Sequence, residues 1–285
     1  MIRKILVPVR GDGKGDNVLA HAAALAHRFS AHIEVTHCRP RPEDLIPFGV
    51  PIPEALRRQL VQNTYTLADQ EEQGLKDEVH ALSAKLDLDD TGQNIGDRAT
   101  VSFVEEVGRQ VDVIKRHGRL ADVIAVAKPD RDRNLGTNTL KAALFHSGRP
   151  VLMCPPTDTP PPVLGKSVAI AWNGSSESAR ALAQAMRLIT TADKVAILTT
   201  GEDAGPGTAA DDLVAYLRLH KVAPEVVNFT ASRSIGQDLL AKSAEIGADT
   251  MIMGAYGDSH ERETLFGGNT QTIVDRGNMP VWLSH

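Results

Sequence analysis

The chain has 285 residues, 42 % of them hydrophobic, with 31 lysines and arginines against 36 aspartates and glutamates and a net charge of −5. That composition excludes a disordered or collagen-like chain, and no lysine- or arginine-rich block offers a phosphate-binding face to nucleic acid. No apolar run approaches the ~20 residues that cross a bilayer, and the N-terminal run Ile2 to Val9 is too short for a signal peptide.

Two cysteines, Cys38 and Cys154, stand far apart with no paired spacing, which suits a reducing compartment. The expectation is a cytoplasmic protein with no membrane and no nucleic-acid partner. At roughly 100–200 residues per domain, two domains are expected.

In chain order, Lys4-Ile5-Leu6-Val7-Pro8-Val9-Arg10-Gly11 is an apolar run closed by a polar residue and a glycine, and an Ala-rich helical pattern follows. His37-Cys38 close a second strand, and a proline-rich loop spans Arg39 to Pro53. Beyond it Leu75, Val79, Leu82 and Leu86, spaced 4, 3, 4, predict a long helix with one core-facing side. The run Ala121 to Ala127, the turn Gly136-Thr137-Asn138-Thr139 and the run Arg149-Pro150-Val151-Leu152 complete this part.

Between Pro155 and Pro162 fall five of the 16 prolines, so this stretch reads as a stiff, extended linker. After it the landmarks return in the same order. Ser167 to Gly174 matches Lys4 to Gly11; Ala248 to Gly254 matches Ala121 to Ala127; Gly267-Gly268-Asn269-Thr270 matches Gly136 to Thr139; Met279-Pro280-Val281-Trp282 matches Arg149 to Leu152. Such a period means a duplicated domain and not a solenoid. The division is 1–154, a linker over 155–164, and 165–285.

In the second copy strands are predicted over 167–172, 194–200, 224–230, 249–254 and 280–283, with helices between. Leu182, Ala185, Met186 and Ile189 line one face of the helix after Asn173, and Ser175 or Ser176 caps its start. Nearly continuous apolar strands alternating with one-sided helices predict an α/β fold, a doubly wound parallel sheet in each half.

In such a sheet ligands bind outside the carboxyl ends of the strands, where the winding reverses. Gly254-Ala255-Tyr256-Gly257, then nine residues, then Gly267-Gly268-Asn269-Thr270 opening the last helix sit at that point. Glycines there allow positive φ and close approach to a ligand, and the N–H groups of a helix start form an anion site whose natural occupant is phosphate.

These residues make nearly the whole chain resemble a tandem universal stress protein. Nucleotide-binding members of that family carry Gly, two residues, Gly, nine residues, Gly and then Ser or Thr, and Gly254, Gly257 and Gly267 match that spacing after a Met-Ile-Met-Gly strand. The resemblance implies a Rossmann-like, adenine nucleotide alpha hydrolase-like fold with a five-stranded parallel sheet per domain. It also implies pairing of the domains through edge strands, here Val151 to Cys154 beside Val281 to Ser284, and a homodimeric assembly.

The departures from the family pattern carry as much as the match. An Asp ends the first strand in ATP-binding members, and Asn173 and Arg10 stand there. Asparagine keeps one carbonyl acceptor for a ribose hydroxyl, whereas arginine has none. Gly268 replaces the Ser or Thr, a loss of about 1 kcal/mol, or roughly fivefold in affinity. In the first copy Ala127 and Asp130 replace the two earlier glycines, and five residues instead of nine precede Gly136. The expectation is that the first half binds no ATP in the family manner, and that the second binds it weakly or not at all.

Other candidates have ordinary explanations. Gly11-Asp12-Gly13-Lys14-Gly15-Asp16 lacks phosphate-loop and dinucleotide spacing and reads as a turn into a helix. His37-Cys38 has no partner at metal-ligand spacing. Gly174-Ser175-Ser176 does not continue to a nucleophile elbow. His260, Glu261 and Arg262 fall in the nine-residue loop and read as solvated.

The leading expectation is a non-enzymatic stress-response protein with a regulatory adenine-nucleotide site in its second half, with Mg accompanying ATP if it binds. Gly257, Gly267 and Gly268 would take the phosphates, Asn173 the ribose and Met253 the base, with Gly254, Asn269 and Thr270 completing the site; no catalytic or metal-ligating residue is named. The alternatives are a nucleotide-free scaffold presenting Arg39 to Pro53 and the long helix, and a slow ATP hydrolase.

Overall fold

The computed structural model describes residues 1–9, 15–39, 41, 53–157, 159, 161–201, 208–257 and 268–285. Most of the proline-rich loop, Arg10 to Lys14 and the nine-residue loop with Gly267 lie outside the described residues.

The first half has strands β1 (Lys4–Val9), β2 (His32–Arg39), β3 (Thr100–Val107), β4 (Val123–Ala127) and β5 (Val151–Cys154), with helices α1 (Gly15–Phe29), α2 (Glu54–Lys85), α3 (Gln110–Gly118) and α4 (Thr137–His146). The second half repeats the order: strands β6 (Ser167–Ala171), β7 (Lys194–Thr199), β8 (Glu225–Asn228), β9 (Thr250–Gly254) and β10 (Val281–Ser284), helices α5 (Ser176–Thr190), α6 (Ala210–Leu219), α7 (Ile235–Glu245) and α8 (Gly268–Arg276).

All ten strands form one sheet in the order β3-β2-β1-β4-β5-β10-β9-β6-β7-β8. Within each half every pair is parallel, and the winding reverses between β1 and β4 and again between β6 and β9. Where the halves meet, β5 runs antiparallel to β10, with Leu152 opposite Trp282 and Met153 opposite Val281.

The sequence explains the layers. Both β5 and β10 are buried along their whole length, as a strand covered on two faces must be, and this is why their runs are apolar without alternation. One core lies under α1, α2, α5 and α6, the other under α3, α4, α7 and α8, and each continues from one half into the other. Helix α5 starts where the Ser175 hydroxyl accepts the Ser178 N–H at 3.2 Å, and it buries Leu182, Ala185 and Ile189. Met186, on the same predicted face, is only partly buried.

Helix α2, at 32 residues against 10 for its counterpart α6, is the main asymmetry. Among its predicted core residues Leu75 and Val79 are buried, while Leu82 and Leu86 are half-buried.

Side chains tie the halves together away from the sheet. From α1, Arg28 donates to the Leu164 carbonyl at 2.9 Å and to the Thr191 hydroxyl at 2.8 Å. Lys128 Nζ donates to the Gly277 carbonyl at 2.9 Å, and Arg131 pairs with Asp275 at 2.8 Å. Among the described residues, no helix is long and apolar enough to cross a membrane.

Candidate functional site

A cleft of about 430 Å³ opens at the carboxyl edge of the second half, between the ends of β6 and β9 where the winding reverses. Its size falls within the roughly 300–1,000 Å³ of small-molecule sites. Leu198, Phe229, Leu239 and Met253 form an apolar back wall, while Asn173, Ser175, Thr199 and Thr200 make a polar rim. Residues at the starts of α5, α7 and α8 all line it, so the partial positive charge of three helix ends is directed toward one space.

The structure brings together Asn173, Met253, Gly254, Gly257, Gly268, Asn269 and Thr270. Gly267, His260, Glu261 and Arg262 lie outside the described residues. The Asn173 carbonyl already accepts the Ser175 N–H at 3.2 Å, so one lone pair and the amide N–H groups remain for a ligand. The Thr270 hydroxyl faces the Tyr256 N–H at 3.5 Å and so braces the turn.

The glycines have different reasons from those the spacing suggests. Neither Gly254 nor Gly257 has positive φ; in this turn that conformation falls to Tyr256, at φ 58°. A Cβ at Gly254 would lie 2.6 Å from the Glu177 carbonyl carbon and the Ser178 nitrogen. Glycine is needed there because the first turn of α5 packs on the end of β9, whatever the cleft holds. At Gly257 a Cβ would lie 3.2 Å from Glu177 Oε2, and at Gly268 no atom of the described residues lies within 4 Å of it.

Sequence reasoning missed Glu177. Its carboxylate lines the cleft beside Gly257 and accepts the Ser176 hydroxyl at 2.9 Å. Burial pushes the carboxyl up, but hydrogen bonds from its own N–H, Ser176 and Ser175 and the charge of Arg180 outweigh this and hold it below the ordinary carboxylate range. No motif spacing points to this residue, since only the docking of α5 against Gly254 places it there. Trp172, Phe229 and Tyr256 also line the cleft, although none was expected to touch a ligand.

The corresponding loop of the first half is closed. Asp130 and Leu135 exchange two backbone hydrogen bonds of 2.9 Å, the Asp130 carboxylate accepts the Arg133 N–H at 3.2 Å, and Gly136 caps α4 at φ 85°. An acidic side chain therefore stands where the family pattern has its second glycine.

On β2, His37 Nδ1 lies 3.3 Å from Glu105, and the Cys38 thiol donates to the Gly108 carbonyl at 3.1 Å. Burial and the Glu106 charge push that thiol up, which lowers its reactivity. Among the described residues no group of three His, Cys, Asp or Glu side chains could hold a metal ion.

Comparisons with known proteins agree with this architecture. Residues 1–134 match the model of the universal stress protein family. No curated protein matches the chain in sequence. A universal stress protein from Archaeoglobus fulgidus DSM 4304 superposes with a TM-score of 0.71 at 15% identity, covering 99% of this chain and 97% of its own. A putative universal stress protein from Pseudomonas aeruginosa UCBPP-PA14 gives 0.54 at 15% identity, covering 99% and 93%. A functionally unknown protein from Pseudomonas aeruginosa PAO1 gives 0.53 at 16% identity, covering 99% and 92%. Such identities speak to the fold alone: residues 1–134 are similar to the universal stress protein family, and the same α/β fold is repeated in the second half.

Proposed function

We propose that the protein is a non-enzymatic stress-response protein whose second half, residues 165–285, holds an adenine nucleotide as a regulatory ligand, while residues 1–154 bind none. The observation that carries this reading is the cleft itself. Every described residue expected to touch the nucleotide lines one space at the reversal point of the winding, with an apolar wall for a base and three helix ends for polar groups. Met253 then lies against the base and Asn173 faces the ribose; Gly257, Gly268, Asn269 and Thr270 face the phosphates. A nucleotide that binds one conformation better than another shifts the population toward it, which is sufficient for regulation.

In this reading the halves pair within one chain through β5 and β10, the segment 155–164 connects them, and a second copy completes a homodimer. Calorimetric titration with Mg-ATP tests the site. Binding is expected for the native chain and its loss for Gly257→Asp, which adds a carboxylate beside Glu177. Unchanged heat in the variant would move the site elsewhere. No heat at millimolar ATP would favour a nucleotide-free scaffold, a reading supported by the exposed first turn of α2, where Glu54, Ala55 and Leu56 all face solvent. Light scattering reads the assembly state.

A further inference from the structure

Glu177 is the only charged side chain among the described residues that line the cleft. A site for free polyphosphate would be expected to set lysine or arginine against that charge; here the described wall offers an anion. We infer that Glu177 is a specificity-determining residue that penalises uncompensated phosphate charge, so that the cleft prefers an adenine nucleoside to a free nucleoside triphosphate. This deepens the nucleotide reading above and depends on it.

Three observations support the inference. Oε2 lies 3.2 Å from the position a Cβ would take at Gly257, so the carboxylate stands against the glycine turn that phosphates would approach. Hydrogen bonding from the Ser176 hydroxyl at 2.9 Å holds it there. The helix that carries it cannot withdraw easily, because the backbone of Glu177 and Ser178 packs directly on Gly254. The opposing attraction is that of helix ends, each equivalent to about half a charge and acting only near its first turn. Against a triphosphate's several negative charges, a fixed carboxylate at contact range opposes the part of that attraction nearest Gly257. A divalent cation on the phosphates would reduce the penalty by compensating their charge.

The test is equilibrium titration of the full chain with adenosine and with ATP in EDTA, followed by calorimetry and by the fluorescence of Trp172, which lines the cleft. The native chain is expected to bind adenosine at least about tenfold more tightly than free ATP, equivalent to ~1.4 kcal/mol. In E177Q the two affinities should converge to within about twofold through tighter ATP binding, with adenosine little changed. Glu177→Asp, which keeps the charge, should retain most of the preference, and far-UV circular dichroism checks that both variants fold. A ratio unaltered by E177Q, or free ATP bound as tightly as adenosine by the native chain, would overturn the inference; Mg-ATP binding alongside either result leaves the nucleotide reading standing. Failure of adenosine, free ATP and Mg-ATP alike to bind would overturn both.

Discussion

Gly254 shows how one residue type answers to two demands. From spacing it looks like a ligand contact; in the structure the carbonyl carbon of Glu177 and the nitrogen of Ser178 lie 2.6 Å from where its Cβ would be. Both are backbone atoms and cannot rotate aside. Gly254→Ala should therefore cost about 1–3 kcal/mol, the range for overpacking, read as a lower urea midpoint. A cost within a few tenths of a kcal/mol would show that α5 is not locked to β9. Ser175 acts through an ordinary cap: its hydroxyl accepts the Ser178 N–H, and Ser175→Ala should cost about 1 kcal/mol, seen as a lower melting temperature. Glu177 sits between these two residues, so either change should also disturb how the cleft is charged.

Helix α2 is the element that most distinguishes the halves, and a charged cluster joins it to the sheet. Arg39 of β2 lies 3.8 Å from both Glu72 of α2 and Glu105 of β3, His37 lies 3.3 Å from Glu105 and 4.0 Å from Glu71, and Lys76 pairs with Glu72. Burial, together with the hydrogen bond and charge of Glu72, pushes the Glu105 carboxyl up to about 7, against Arg39 and Lys76. Burial also lowers His37, which favours its neutral form beside that carboxyl.

The folded state thus retains a proton that the unfolded chain, at its ordinary carboxyl value of 4.5, releases. The stabilisation from Glu105 is complete below about 4.5 and lost as the pH rises to about 7. The lowered His37 acts in the opposite sense over the same window, so the check is a difference. In urea unfolding at several pH values the native chain should lose stability relative to Glu105→Gln as the pH rises from about 4.5 to about 7. An identical slope in the variant would assign the pH dependence to other groups.

For the whole molecule, the important feature is that neither core stops at the boundary between the halves. Trp282 of β10 is fully buried opposite Leu152 of β5. It belongs to the core that includes α1 and α5, while its neighbours Val281 and Leu283 belong to the other. Shared cores couple the folding of the two halves, so calorimetry of the native chain should show one transition. Trp282→Ala should cost about 3–5 kcal/mol and split that transition in two. A single unsplit peak in the variant would mean that contacts such as Arg28 to Leu164 and Thr191 suffice to couple the halves.

Much of this architecture was legible in the chain before any coordinates. Apolar runs such as Val151 to Cys154 carry no alternation because both faces of the strand are covered, and the predicted strands of the second copy end within two residues of the observed ones. The repeated landmarks fall on equivalent strands and helices of the sheet, and the turn Gly254 to Gly257 borders the cleft. Three-dimensional packing decided the rest: that Gly254 serves a helix contact, that Tyr256 takes the left-handed conformation, and that Glu177 gives the described wall its only charge. Local pattern encodes which face of an element is buried. The charge of a cleft depends on side chains from Asn173 to Glu177, Met253 to Gly257 and Gly268 to Thr270 meeting in space, and no periodicity along the chain records that meeting.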